Sequence, residues 1–451
     1  MENVKKIGKK IWDNKRLLFV FVFSFLVYEF IAFPINNGDP INMYYFSHAI
    51  RVGAVPYRDF SMILTPFYSF LMSFGLFFFD DFLIFILENC LLVTILFYFL
   101  FKLLDKKAWI VLLGMSVTKF FGFLPTYNLL CFLFIVILVY LEKEYPDKDY
   151  LSGLILGLSI LTKHTVGIFF VLVMIFIHYK NIKKIFRRLF SMFIPMFIFL
   201  TYLLVNDALY DFVNLTILGL FDFGYNNSNF GGIWFWFSII LFVFIIFIMI
   251  KRRDIYNYYF ICSFIICVPL FDFPHFAMYL NCVITFFLMY INIQSNYIFK
   301  LCIGINALYS VLHFLCIVSL GTTFFKNLNH FNYMYGFSTD YKNDLKVNAF
   351  LDEYSNKNMV FLSKYTMFYD ITMDREINFF SVVLYGNHGY DGTNAFIERL
   401  ENLDDAYVIV DFGMYEHSTK ESQVDRDVIE HIVNNYEMVD SKYCFQVYYK
   451  P

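Results

Sequence analysis

Residues 34–66 read PINNGDPINMYYFSHAIRVGAVPYRDFSMILTP, from Pro34 to Pro66. The stretch joins two long apolar segments, yet it carries Asp39, His48, Arg51, Arg58 and Asp59. Carboxylates beside a membrane are costly unless they face water or a polar ligand. This loop is therefore where chemistry is expected first.

The surrounding composition fixes the class. Of 451 residues, 59% are hydrophobic and 16% charged, with 62 Phe and 35 Tyr; mean hydropathy is +0.58. That much apolar surface exceeds what one water-soluble core of this length hides. The apolar runs last about 16 to 23 residues, enough for helices to cross a ~30 Å hydrocarbon layer. The expectation is an all-α polytopic membrane bundle. The net charge of −3 conceals a split. Residues 1–320 hold 24 Lys+Arg against 18 Asp+Glu, and residues 321–451 hold 11 against 20. A weakly basic membrane part, 1–320, thus precedes an acidic, water-soluble tail, 321–451, and the acidity argues against nucleic acid as a partner. The eight cysteines form no CxxC pair, and seven lie in apolar segments, as small core residues do.

Basic clusters orient the chain, since Lys and Arg collect in cytoplasmic loops. Lys5, Lys6, Lys9, Lys10, Lys15 and Arg16 keep the N-terminus inside. A first span over 17–33 leads out, and 82–104 returns to Lys102, Lys106 and Lys107. The segment 62–79 then cannot be a full crossing and is expected as a juxtamembrane helix. Spans at 108–124, 128–141, 151–161, 166–178, 189–205, 233–250, 255–270, 276–293 and 297–320 alternate after that. They give about eleven crossings and put the tail outside. In the tail, 359–365, 379–385, 406–412 and 444–450 read as strands, and 343–355, 392–402 and 427–436 show helical spacing. A small C-terminal extracytoplasmic α/β domain is expected. Its turn-rich loop GNHGYDG, 386–392, follows an expected strand, where α/β sheets often hold ligands.

The outer loop resembles the first extracytoplasmic loop of GT-C fold glycosyltransferases, nearest to the ArnT and protein-mannosyltransferase type, the family 39-like group. The resemblance rests on GDP at 38–40, YY at 44–45, GAVPYRDF at 53–60 and TP at 65–66. PTYNLL (125–130), GLSILTKHTVG (157–167) and FDFPHFAMYL (271–280) resemble later motifs of the group. One departure is Asp39-Pro40, where many relatives carry two adjacent acids. The resemblance implies a bacterial plasma-membrane enzyme that moves a sugar from a polyprenyl-phosphate-linked donor to a glycan, lipid or protein acceptor. Membrane lipid is a further partner, and inversion at the sugar is implied. Catalytic roles fall on Asp39, as general base, and on Asp59, which orients the acceptor or helps bind a divalent metal. No cofactor is certain; a metal, if used, falls to Asp39 and Asp59. Arg58, Lys163, His164 and His275 are implied as the donor-phosphate ligands.

Each residue has a plainer reading. Asp39 before Pro40 is a good helix start. Arg58 and Asp59 read equally as an ion pair bracing the loop. Lys163 and His164 could snorkel to the interface, and His275 after Pro274 has a structural reading at a helix start. Asp80-Asp81 reads as a solvated loop edge. Glu88 and Lys119 lie inside apolar spans and read as bundle braces. At the level of function the alternatives are a polysaccharide polymerase, ligase or flippase, and a non-enzymatic membrane receptor. A flippase needs polar residues deep in several helices, whereas here the charges gather at the outer rim. A secondary transporter lacks support, for no internal repeat or Gly/Pro-broken helix pair stands out.

Overall fold

A computed structural model of the protein describes residues 2–31, 39–118, 123–320, 341–363, 365–372, 375–382, 386–412 and 425–451. Residues 34–38, Lys119 and the start of the expected tail, 321–340, lie outside the described residues.

The chain is mainly helical. In order the longer helices are α1 (Glu2–Ile31), α2 (Asp39–Arg51), α3 (Phe67–Leu76), α4 (Phe82–Leu104), α5 (Ala108–Val117), α6 (Tyr127–Glu144), α7 (Asp149–Ile160), α8 (His164–His178) and α9 (Ile182–Val205). They continue with α10 (Leu209–Phe212), a π-helical stretch over Val213–Leu218, α11 (Gly219–Asn227), α12 (Ile233–Arg252), a 3-10 stretch over Ile255–Ile266, α13 (Phe273–Tyr290) and α14 (Asn296–Leu320). Long apolar segments have no backbone partner in lipid other than their own turns, which is why they fold as helices. Local signals set the starts. Asp81 Oδ1 accepts Leu83 N–H at 2.7 Å, and Asp272 Oδ1 accepts His275 N–H at 3.0 Å with Pro274 in the first turn.

Among the described residues four helical stretches are long and apolar enough to cross a membrane: Phe82–Val117, Ile182–Val205, Ile233–Arg252 and Phe273–Tyr290. Five shorter apolar helices accompany them. The expected crossings at 151–161 and 166–178 correspond to α7 and α8, whose 12 and 15 residues make only about 18 and 22 Å of helix.

Two compact units divide the chain. Unit 1 comprises Met1–Phe33, Asp81–Ile198 and Asn229–Lys326; unit 2 comprises Pro34–Asp80, Phe199–Ser228 and Asn327–Pro451. The outer-loop segments group with the tail in unit 2.

In unit 1 the helices are tied by close approaches and by one buried ion group. A Cβ at Gly153 or Gly157 would overlap the backbone of α9, and one at Gly167 the backbone of Ile160 in α7. Arg188 is fully buried; it pairs with Glu142 and, through Nε, with Asp149 Oδ1 at 3.1 Å. His178 Nε2 reaches Glu142 Oε1 at 3.1 Å. Four helices, α6 to α9, meet at this group.

Unit 2 contains the four-stranded sheet of the tail: β1 (Asn358–Leu362), β2 (Ala406–Asp411), β3 (Glu437–Lys442) and β4 (Phe445–Lys450), in the order β1-β2-β4-β3. β1 and β2 run parallel, and the other pairs are antiparallel. Helices α15 (Tyr341–Asp352), α16 (Thr366–Thr372), α17 (Gly392–Glu401) and α18 (Arg426–Asn435) accompany it. Val360, Val408, Val410, Phe396, Leu400 and Ile432 form its core. Two sequence expectations change here. The run at 379–385 is not a strand where described: Asn378 Oδ1 accepts Phe380 N–H at 2.9 Å and starts a 3-10 turn over Phe379–Ser381. The strand EMVDSK was not expected, because it is an edge strand with both faces largely exposed and so lacks alternation.

Candidate functional site

Three of the six expected site residues lie in unit 2 and three in unit 1. In unit 2, Asp39 is the first residue of α2, directly ahead of Pro40. The helix is enclosed on nearly all sides, with Ile41 and every residue from Met43 to Ile50 buried. Its last turn is locked by Asp80: Oδ2 accepts Arg51 Nη1 at 2.8 Å and lies 3.0 Å from His48 Nδ1. Asp80 and Asp81 are therefore not a solvated edge, since one pairs with α2 and the other caps α4.

Arg58 and Asp59 bind each other in a forked pair, Nε to Oδ1 at 2.7 Å and Nη2 to Oδ2 at 2.9 Å. Asp59 Oδ2 also accepts Val55 N–H at 2.7 Å, and Arg58 Nη1 donates to the Asn206 carbonyl at 3.1 Å. The Arg58 hydrogen bonds outweigh partial burial and hold the Asp59 carboxyl below its ordinary value of 3.8. The pair thus braces the GAVPYRDF turn. Tyr57, fully buried beside it at φ 74°, donates to the Leu64 carbonyl at 2.8 Å and stacks edge-on to Phe212 at 5.1 Å.

The loop GNHGYDG serves as a clamp rather than an open ligand loop. Asn214 Oδ1 accepts Tyr390 N–H at 2.8 Å and Asp391 N–H at 3.0 Å. A Cβ on Gly389, at φ +80°, would crowd the Asn214 amide, and one on Gly219 would stand 2.8 Å from Gly389 Cα. His388 turns inward, with Nε2 3.0 Å from Asp425 Oδ2. Arg399 Nη2 reaches Asp211 at 2.7 Å, and Tyr210 donates to Asp391 at 2.8 Å.

In unit 1, Lys163, His164 and His275 belong to one neighbourhood. Lys163 is 7% exposed, donates to the Ile266 carbonyl at 3.0 Å and sits 5.5 Å over the Tyr127 ring, so it does not snorkel. His164 opens α8, and neither of its ring nitrogens has a hydrogen-bond partner among the described residues. His275 is buried; Nδ1 lies 2.6 Å from Asp272 Oδ1, while Nε2 is unpartnered among the described residues. Burial pushes the Asp272 carboxyl up, but the His275 hydrogen bonds, helped by the Lys163 charge, outweigh it and hold it below its ordinary value. The starts of α6, α8 and α13 thus come together at Tyr127, His164 and Asp272. Thr126 and Asp272 cap α6 and α13, whereas α8 has no side-chain cap, so its first N–H groups are a setting that favours an anion. The PTYNLL motif supplies Tyr127, whose aromatic face under Lys163 the spacing alone does not give.

Metal ligation fits poorly. Both Asp59 oxygens are engaged in the loop brace. Among the described residues no group of three or more His, Cys, Asp or Glu is arranged to hold a cation.

No protein-family model matches the chain, and no curated protein matches it. Solved structures do. ArnT of Cupriavidus metallidurans, in a crystal structure bound to undecaprenyl phosphate, aligns over 98% of this chain and 98% of its own at 11% identity, with a TM-score of 0.52. In the apo state the same protein aligns over 99% of this chain and 98% of its own at 10% identity, also with a TM-score of 0.52. At such identities the likeness establishes the fold alone, the GT-C fold, over nearly the whole chain.

Proposed function

We propose that this protein is an integral-membrane glycosyltransferase. It transfers a sugar from a polyprenyl-phosphate carrier to a hydroxyl of a glycan, lipid or protein at the outer face of a bacterial plasma membrane. The orientation follows the basic clusters: N-terminus inside, about eleven crossings, tail outside. The observation that carries the reading is the group around Lys163. A nearly buried cation, two imidazoles with nitrogens unpartnered among the described residues and three helix starts sit together. That combination suits the phosphate of a lipid-linked donor, whose chain needs an apolar surround. The fold likeness to ArnT, crystallised with undecaprenyl phosphate, points the same way by analogy.

In this reading the acceptor oxygen attacks the anomeric carbon, and the bond from that carbon to the phosphate oxygen breaks. The acceptor proton goes to the Asp39 carboxylate, and the lipid phosphate leaves as an anion. One displacement inverts the anomeric carbon. Lys163, His164 and His275 stabilise the departing charge. Arg58 is the fourth phosphate ligand proposed, and Asp59, held beside it, fixes the turn and orients the acceptor. Binding of undecaprenyl phosphate to the purified full-length protein tests the reading. Lys163→Gln weakens that binding by about tenfold or more, the worth of one charge-assisted hydrogen bond, and Asp39→Asn leaves it unchanged. Absence of binding in the wild type, or equal binding by Lys163→Gln, rejects the site; binding without transfer would favour a flippase or a receptor.

A further inference from the structure

The C-terminal domain reaches α2. Within unit 2, α2 packs against α3 and against α16 of the tail. Tyr45, midway along α2, is fully buried; its hydroxyl has no hydrogen-bond partner among the described residues and lies in the field of Asp370 and Arg375, near Ser381 and Asn378, all from the tail. Asp370 has no exposed side-chain surface; Arg375 Nη2 lies 2.9 Å from Oδ1, and Arg375 N–H donates to the Asp370 carbonyl at 2.8 Å. A buried ion pair adds little to the stability of a small domain, because desolvation offsets the attraction. It does fix register, since only one placement of the neighbouring groups keeps both charges compensated. Here that pair stands where a helix from a distant part of the chain inserts a phenol.

Resting on the glycosyltransferase reading, we propose that Tyr45, Asp370 and Arg375 are positioning residues for transfer: through them the C-terminal domain grips α2 and sets the direction of Asp39 at its start. Asp39 heads the helix six residues before Tyr45. The Asp80 lock on His48 and Arg51 holds the other end of α2. One anchor at the helix centre and one in its last turn leave it little freedom to roll. The tail is thus part of the catalytic assembly rather than an appended module.

A double-mutant cycle on the full-length protein tests this, using Tyr45→Phe, Asp370→Asn and both together. Phe keeps the ring and its burial, so the first variant keeps the fold even if the second does not. The expected result is a fall in kcat of about tenfold in each single variant, with KM for the lipid-linked donor within about twofold of wild type, and a double variant no worse than the weaker single. A purely structural role would give independent, multiplying effects or move donor binding too. Hydrogen exchange along α2 is read in parallel and does not depend on activity. Faster exchange at residues 41–47 in both single variants supports the grip. Unchanged exchange, or kcat losses that multiply in the double variant, overturns it. A wild type that transfers nothing while α2 loosens in the variants leaves the grip standing and rejects the glycosyltransferase reading instead.

Discussion

Replacing Asn214 by Ala removes the one side chain that accepts two backbone N–H groups of the glycine loop, those of Tyr390 and Asp391 at 2.8 and 3.0 Å. The Asn214 carbonyl still accepts the Tyr390 N–H at 3.2 Å, so one donor keeps a partner and the other loses its own. Each bond is worth about 0.5–1.5 kcal/mol net, and both donors are only partly buried, which gives about 1–3 kcal/mol for opening of this loop. Amide exchange of Tyr390 and Asp391 is then faster by about 5- to 150-fold if it proceeds by local opening. Asn214→Asp keeps both acceptor oxygens and retains most of the protection. Amides in the central strand β2, such as Val408, stay at the wild-type rate in both variants. Hydrogen exchange resolved to single residues reads all of this. A change below about twofold at Tyr390 and Asp391, or an equal increase in β2, refutes the clamp, because the former means no opening cost and the latter global destabilisation.

Arg188→Met leaves Glu142 and Asp149 buried without their shared cation and costs about 3–5 kcal/mol, read as lost thermal stability in detergent; an unchanged melting temperature would falsify the ion-group assignment. Gly167→Val drives a side chain into the Ile160 backbone, so the α7–α8 hairpin cannot close and folded protein disappears from size-exclusion profiles, whereas Gly304→Val, with open space at its Cβ, is tolerated. Asp59 has a depressed folded pKa, so the loop brace is complete above its ordinary value of 3.8 and is lost as pH falls through the lower folded value. Protection of the Val55 amide is therefore flat from about pH 5 to 8, falls only in stronger acid, and is absent throughout in Asp59→Ala.

Much of the membrane part was legible because lipid leaves an apolar segment a single answer, and capping residues such as Asp81 and Asp272 mark where each helix begins. The GAVPYRDF stretch announced itself through charges placed where they are expensive. Less legible was what those charges do. Arg58 and Asp59 are adjacent in sequence and found each other, a short-range pairing that spacing permits but does not decide. Asp80 looked solvated because its partners, His48 and Arg51, are about thirty positions upstream. The same distance problem hid the Asn214 contact with GNHGYDG, where glycines wanted for close backbone approach resemble glycines wanted for a ligand. The edge strand EMVDSK carries no period-2 signal, since neither of its faces meets a core. Lys163 illustrates the opposite case. Its motif was visible, and its inward turn onto Tyr127 and Ile266 could come only from the folding of three separate segments.

The central claim is transfer itself. Purified full-length protein is incubated with labelled polyprenyl-phosphate sugars and a cell-envelope acceptor fraction, and the release of free polyprenyl phosphate is followed together with the anomeric configuration of the product. The account predicts acceptor-dependent release with an inverted anomeric carbon, slowed by about 10²- to 10⁴-fold in Asp39→Asn, the usual contribution of a general base. Full transfer by the Asp39→Asn variant, or a wild type that consumes no donor of this class, contradicts it.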